Sequence, residues 1–151
     1  MLKKFVSSVL AVLLLVGCSA TSAGSAAASA SADAESIISS LGMGDKVEKV
    51  EDRIIKGLFM FDEGTIEDAA VYVSNAKTAD LVGVFQTKDT AATKEKIQNY
   101  LVTLKGQMES YAPDEVFKVD NAVIEEAGNK VIVIIADDIE NAKKTAQSLL
   151  G

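Results

Sequence analysis

The sequence predicts an α+β domain, built as a two-layer sandwich with helices on one face of a four-stranded, mainly antiparallel sheet. Three observations carry this prediction. Two pairs of segments rich in β-branched and aromatic residues are each followed by a stretch with helical periodicity, and a further helical stretch comes first. Gly128-Asn129 separates one pair with the residues of a two-residue hairpin loop. The 151 residues leave room for a single domain of about 100 residues beside a leader and a tether.

The N-terminus predicts a secretory signal peptide over residues 1–17. Lys3 and Lys4 precede an uncharged stretch, residues 5–16, and a basic start before an apolar stretch is the layout of such signals. A membrane-spanning helix needs about 20 apolar residues, and here small polar residues follow directly after Cys18. We therefore expect the apolar stretch to be removed rather than kept as a transmembrane anchor.

The end of the apolar stretch, Leu15-Val16-Gly17-Cys18, resembles the bacterial lipobox. The resemblance implies cleavage between Gly17 and Cys18, a diacylglyceryl group on the thiol, and acyl chains such as palmitate that hold the protein on the outer, extracytoplasmic face of the cell membrane. The alternative is an unmodified cysteine near an ordinary cleavage site. Cys18 is the one cysteine of the sequence, so no intramolecular disulfide is expected.

Residues 18–36 are predicted to be a lipidated, flexible tether because they are almost only Ala, Ser, Gly and Thr. The single folded domain is expected over residues 37–151. Loss of Lys3 and Lys4 with the signal would leave 13 basic residues against 22 acidic ones, a net charge of −9. Such a surface repels nucleic acid and anionic headgroups, so membrane attachment would depend on the lipid.

The first half of the domain predicts two helices and a hairpin. A short helix is expected at 33–41, and a second from an N-cap at Asp45 through Val47, Val50, Ile54 and Leu58. The apolar cluster at 58–61 is closed by Asp62-Glu63-Gly64, a turn signal. Residues 66–74 and 80–87 then predict two strands.

The second half repeats the pattern. A long helix is expected from a cap at Asp89 or Thr90 to about Ser110, where Tyr111-Ala112-Pro113 ends it. Strands follow at 122–127 and 130–136, and a last helix runs from Asp137 or Asp138 to Leu150. The run 131–135 is apolar at every position, which predicts a central strand buried on both faces. Its second face would be covered by residues 47–61, by a second copy of the chain in a homodimer, or by a partner.

The residue types argue against catalysis. The sequence has no histidine and a single cysteine, so His-based triads, thiolate nucleophiles and the usual zinc sites are not expected, nor is any cofactor. Three acidic pairs remain, Glu67-Asp68, Glu125-Glu126 and Asp137-Asp138. The second should point to opposite faces of a strand, and the third should cap a helix. No catalytic residue and no metal ligand is therefore predicted.

Four short motifs follow one another along the domain: Val71-Tyr72-Val73-Ser74, residues 78–85, Tyr111-Ala112-Pro113, and Gly128-Asn129 before an apolar strand that ends at Asp137-Asp138. With these motifs, the chain from about Asp33 to Leu150 resembles a lipoprotein domain family of Gram-positive bacteria, the domain of unknown function 4358. Asp80 stands where many members have an acidic residue. The family implies architecture and placement, and no activity.

Two classes of function remain. The favoured one is a non-catalytic extracytoplasmic module that binds a protein or an envelope polymer, with Phe59, Phe61 and Tyr72 as candidate contact residues. The alternative is a small envelope hydrolase that uses carboxylates alone, in which Asp80 is the residue to test. A purely structural envelope protein is the third option.

Overall fold

The computed structural model describes residues 28–151, whose centre is one antiparallel sheet of five strands in the order β1-β2-β3-β5-β4. The strands are β1 (Val47–Lys49), β2 (Ile66–Ser74), β3 (Leu81–Thr87), β4 (Val123–Ala127) and β5 (Lys130–Ile135). The helices are α1 (Ala30–Ser40), α2 (Asp52–Phe59), α3 (Thr90–Tyr111), α4 (Val116–Asp120) and α5 (Ile139–Leu150). A 3-10 turn at Pro113–Glu115 leads into α4.

Both faces of the sheet are buried, and each has its own core. On one face Val82, Val84, Ile132 and Ile134 pack with α1 and α5. On the other face Leu81 and Phe85 of β3 and Val131, Val133 and Ile135 of β5 pack with α2, α3 and α4. Successive side chains of a strand point to opposite faces, so the unbroken apolar run of β5 supplies both cores.

The predicted two-layer sandwich of four strands is wrong in these details, although the α+β class and the antiparallel sheet are confirmed. The domain has three layers because α3 and α5 lie on opposite faces of the sheet, not on the same one. The burial of residues 131–135 on both faces is confirmed. The chain covers both faces itself, with α2 from the 47–61 segment on one side, so neither a second copy nor a partner is needed there.

The fifth strand comes from a segment predicted as helix. Val47 does not continue a helix capped by Asp45; it begins β1, where Val47 pairs with Ser74 and Lys49 with Tyr72. α2 begins only at Asp52, after Glu51 at the N-cap. The helical spacing of Val47 and Val50 with later residues was misleading because pairing with β2 fixes the backbone of β1.

The N-terminal boundary also differs. Residues 30–36, which were assigned to the flexible tether although a helix was also expected from residue 33, lie in α1. Ala30, Ala34 and Ile37 are fully buried against the sheet. Ser29 caps the helix, since its Oγ accepts a hydrogen bond from the backbone N–H of Ala32. The boundary expected at residue 37 therefore falls inside a packed helix.

Most other elements match their predictions. β2 spans the predicted residues, and Asp89 caps α3. Gly128 has φ 58°, as its hairpin loop requires. The predicted signal peptide, Gly17, Cys18 and residues 18–27 of the predicted tether lie outside the described residues. Among residues 28–151, no helix is long and apolar enough to cross a membrane.

Candidate functional site

A groove opens at the outer edge of the sheet, between α2 and the first half of β2. Its volume is about 480 Å³, and we call it the β2 groove. Ile55, Phe61, Ile66 and Ala69 give it an apolar base, and charged side chains stand around its mouth. The complete lining comprises Asp52, Ile55, Lys56, residues 61–64 and residues 66–69.

The chain reversal after α2 shapes the groove. Met60 takes a left-handed conformation, with φ 53°, and this ends the helix at Phe59. The predicted turn at Asp62-Glu63-Gly64 is present: Gly64 has φ 76°, and the N–H of Thr65 donates to the carbonyl of Asp62 over 3.2 Å. The reversal turns Phe61 back towards the base and leaves Asp62 and Glu63 exposed at the mouth.

Four aromatic rings support the base of the groove. The rings of Phe59 and Phe61 stack with centroids 5.3 Å apart, and each meets the ring of Phe85 edge-on at 5.2 Å. Tyr100 of α3 lies 4.6 Å from Phe59, and burial raises the pKa of its hydroxyl. Aromatic pairs in these geometries add to the energy of burial, so they stabilise the base of the groove.

One wall of the groove is a strand edge with unpaired backbone groups. β1 pairs only with residues 72–74 of β2, and the N–H of Val50 donates to the carbonyl of Val71 over 2.8 Å. The N–H of Ser74 donates towards β3, to the carbonyl of Asp80, whereas the carbonyl of Val71 accepts from Val50 on the opposite side of β2. Because the direction of the backbone hydrogen bonds alternates from residue to residue, Ala69 presents its N–H and C=O away from β3, as Val71 does. Neither group has a hydrogen-bond partner within residues 28–151.

The mouth of the groove is acidic. Five carboxylates line it against one ammonium, that of Lys56, and the five are Asp52, Asp62, Glu63, Glu67 and Asp68. Asp68 already has a partner within the domain, since its Oδ2 accepts a hydrogen bond of 2.8 Å from the N–H of Ala30. The other four are exposed, and none forms an ion pair with another described residue. The groove therefore presents negative charge around an apolar base.

A second group of charges lies at the end of the sheet where β3 begins and β5 ends; we call it the Lys118 cluster. Its centre is Lys118, whose Nζ lies 2.8 Å from Glu115, 2.9 Å from Asp137 and 3.2 Å from Asp80. Lys46 forms a second ion pair with Asp137, at 2.7 Å. The cluster links α4 to the start of β3 and to the residues before α5.

The protonation of the cluster follows from these contacts. Burial works to lower the pKa of Lys118, but hydrogen bonds to Glu115 and Asp137 and the charge of Asp80 hold it well above its usual value. Hydrogen bonds from Lys46 and Lys118 lower the pKa of Asp137 to about 2. Lys118, Lys46 and Asp137 are thus charged at neutral pH.

The contacts of the cluster are internal ones. Asp80 Oδ2 accepts a hydrogen bond from Thr78, and Glu115 Oε2 accepts one from the N–H of Ala79. Every buried side-chain nitrogen and oxygen in the described part of the chain has a partner. The cluster joins three elements of the fold and leaves no buried group directed at a ligand.

The structure brings two of the three predicted contact residues together, since Phe59 and Phe61 stack, and places Tyr72 elsewhere. Phe59 is 2% exposed and belongs to the core. Phe61 is half-buried and lines the β2 groove. Tyr72 lies on the opposite face of the sheet, where its hydroxyl donates to Glu35 over 3.3 Å. Phe61 and Tyr72 are both half-buried, and of the three residues Phe61 alone lines the β2 groove.

Two of the three acidic pairs lie where the sequence placed them. Glu125 contacts Gln147 of α5, and Glu126 contacts Lys94 of α3, so the two carboxylates face opposite sides of the sheet. Asp138 caps α5, because its Oδ1 accepts from the N–H of Asn141 over 3.0 Å. Within residues 28–151, no group of three or more Cys, Asp or Glu side chains is arranged to hold a metal ion.

Sequence reasoning missed three features of these sites. The acidic mouth could have been found, because five carboxylates fall between residues 52 and 68 beside the aromatic pair. Lys118 gave no signal of its own, since its partners Asp80 and Asp137 are distant in sequence. The open edge at Ala69 depends on how far β1 extends, which strand-like composition does not reveal.

Comparison with known proteins gives one match. A search of curated proteins and a search of solved structures each found no significant relative. The family model described as "Domain of unknown function (DUF4358)" matches residues 39–136. This range runs from the end of α1 to the end of β5 and includes all five strands, the β2 groove and most of the Lys118 cluster. The chain therefore belongs to the DUF4358 domain family.

Proposed function

We propose that this protein is a lipoprotein held on the outer face of a bacterial cell membrane by lipid on Cys18, and that its domain is a non-catalytic module that binds another protein. The sequence supports the anchor, since Leu15-Val16-Gly17-Cys18 follows a basic and then an apolar segment. Lipid on one cysteine places the domain close to the membrane surface, where its partners would also lie.

The β2 groove is the observation that carries the binding function. It combines an apolar base, a wall of unpaired strand backbone and a charged mouth, and each of these is a feature by which proteins recognise one another. The internal contacts of four carboxylates argue against catalysis at those residues. Asp80 and Asp137 form ion pairs with Lys118. Asp138 and Asp68 accept hydrogen bonds from backbone N–H groups.

The anchor is tested by metabolic labelling with an alkyne analogue of palmitate in cells that express the full chain. Wild type should carry the label and sediment with membranes. Cys18→Ala should lose the label and leave the membrane fraction. An unlabelled wild-type protein would contradict the proposal.

The binding function is tested by photo-crosslinking in intact cells, with a photoreactive residue at Lys56 on the groove. The matched control carries it at Val102, which is 73% exposed on α3. One recurrent protein adduct from position 56, absent from position 102, is the expected result. Adducts with glycan would indicate that the groove binds an envelope polymer, and adducts with a second copy of the chain would indicate a homodimer. Equal labelling from both positions would show that the groove is not a specific binding surface.

A further inference from the structure

We propose that the β2 groove takes an extended segment of a partner protein, rich in lysine or arginine, which pairs with the free edge of β2 as a further strand of the sheet. This inference rests on the proposed binding function and specifies the chemistry of the occupant. Three independent properties of the groove support it: the open backbone, the one-sided apolar base and the sign of the charge.

The backbone of β2 is open over a definite stretch. β1 closes the edge at residues 72–74, and Val50 takes the carbonyl of Val71. Below this point Ala69 presents an N–H and a C=O with no partner in the described chain. Residues 66–70 span at most roughly 17 Å at about 3.4 Å per residue, which is the length of an ordinary short strand. A β-bulge lies between Ile66 and Asp68, so the regular part of this edge is centred on Ala69.

The apolar base suits one face of such a strand. Alternate side chains of an added strand would point to the α2 side, where Ile55, Phe61 and Ile66 form the base of the groove. The side chains between them would point to the other face of the sheet. Backbone pairing gives affinity in this mode of recognition, and the alternate side chains give specificity.

The charge of the mouth selects the partner. Asp52, Asp62, Glu63 and Glu67 are exposed around the groove and lack ion-pair partners in the described part of the chain, against the single ammonium of Lys56. A segment with several lysine or arginine side chains complements this field, and an acidic segment is repelled.

β4 forms the opposite edge of the sheet and provides the internal control. The register with β5 makes Ile124 and Glu126 the residues whose backbone groups point outwards. Lys94 reaches Glu126 over 3.4 Å, so a basic side chain of the protein already lies at this edge. A basic strand should therefore prefer β2.

The test is a selection of random heptapeptides displayed on phage against the full-length chain, purified in detergent. The expected winners alternate apolar residues with lysine or arginine, and their affinities are measured by fluorescence anisotropy. Ala69→Pro removes the outward N–H, and edge strands tolerate proline at such positions. It should weaken the winners at least about tenfold, while Glu126→Pro should leave them unchanged.

A second variant keeps the test decisive if Ala69→Pro fails to fold, which thermal melting would reveal. Glu63→Gln with Glu67→Gln should weaken the winners several-fold and flatten the dependence of affinity on salt. Glu140→Gln, at an exposed glutamate of α5, should do neither. The proposal would be overturned if the selected peptides were neutral or acidic, or if no peptide were selected. It would also be overturned if the affinity of the selected peptides were the same for wild type and for both groove variants. A crosslinked partner at Lys56 together with failed selection would leave the binding function standing and refute strand addition.

Discussion

The ammonium of Lys118 lies 3.2 Å from Oδ1 of Asp80, and the two side chains are only 12% and 3% exposed. The other oxygen of Asp80 accepts a hydrogen bond of 2.8 Å from Thr78. Asp80 stands directly before β3, the central strand between β2 and β5. The pair therefore fixes α4 to the middle of the sheet.

Lys118→Met should destabilise the domain by about 3–5 kcal/mol, because Asp80 would remain buried without its cation. Urea unfolding followed by circular dichroism measures the loss. Lys105→Met is the matched control, since it removes an exposed ion pair to Asp120 and should cost much less. Equal losses for the two variants would show that burial of Asp80 is not what makes Lys118 important.

The stability of the domain should fall in acid as Asp137 is protonated. Its folded pKa of about 2 lies below the ordinary 3.8, so the ion pairs with Lys46 and Lys118 stabilise the fold fully above about pH 4. This contribution is lost as the pH falls from about 4 to about 2. Asp137 is 60% exposed, so solvent screening limits the effect to at most about 1 kcal/mol.

Asp137→Asn should abolish this part of the pH dependence. Urea midpoints of wild type and variant should differ at neutral pH and converge near pH 2. High salt should reduce the difference, because the pair with Lys46 is exposed. Parallel curves for the two proteins would contradict the assignment.

Gly83 is required by the packing of the sheet rather than by its backbone angles. A Cβ at this position would lie 2.8 Å from Val133 Cγ1 and 3.0 Å from the ring of Phe85. Gly83→Ala should therefore cost about 1–3 kcal/mol in urea unfolding. Gly106→Ala, where a Cβ in α3 meets nothing within 4 Å, should instead stabilise by about 0.5–1 kcal/mol. The same sign for both would refute the packing argument.

The sequence predicts the elements whose signals are local. β2 and the long α3 follow from side-chain periodicity, and Asp89 and Asp138 cap their helices as predicted. Both hairpins can be predicted from the residues of two successive strands and the loop between them. The face of the sheet on which each helix packs has no local sequence signal, because it depends on the direction in which the chain leaves β3 and β5. The sequence therefore predicted one helical layer where the structure has two.

The candidate site shows the same division. The aromatic residues at 59 and 61 could be chosen from their apolar context, but only packing shows that Phe61 lines the groove and Phe59 does not. The free edge of β2 could not be predicted, because it exists only where the three-residue β1 ends.

Phe59→Ala should destabilise the domain by about 3–5 kcal/mol, because its ring is 2% exposed and packs against three other aromatic rings. Phe117→Ala is the control on an exposed ring, 65% accessible, and should change stability by no more than about 0.5 kcal/mol. Thermal and urea unfolding of both variants provide the comparison. A stable Phe59→Ala variant would place Phe59 outside the core.

α1 tests whether the alanine-rich segment is part of the fold. Asp33 is buried and forms an ion pair and hydrogen bond with Lys130, at the start of β5. Lys130→Met should cost about 3–5 kcal/mol by leaving Asp33 buried without a cation. The double variant Asp33→Leu/Lys130→Met should recover most of that loss, since two apolar side chains then meet at the same place.

Urea unfolding of wild type, both single variants and the double variant completes this cycle, and hydrogen exchange reports on α1 itself. The amides of α1 should exchange faster in Lys130→Met than in wild type, and more slowly again in the double variant. If residues 30–36 were instead a free tether, the four proteins would unfold at the same urea concentration and the α1 amides would exchange freely in all of them. Ala30 and Ala34 favour the first result, because α1 can bury them only by packing on the sheet.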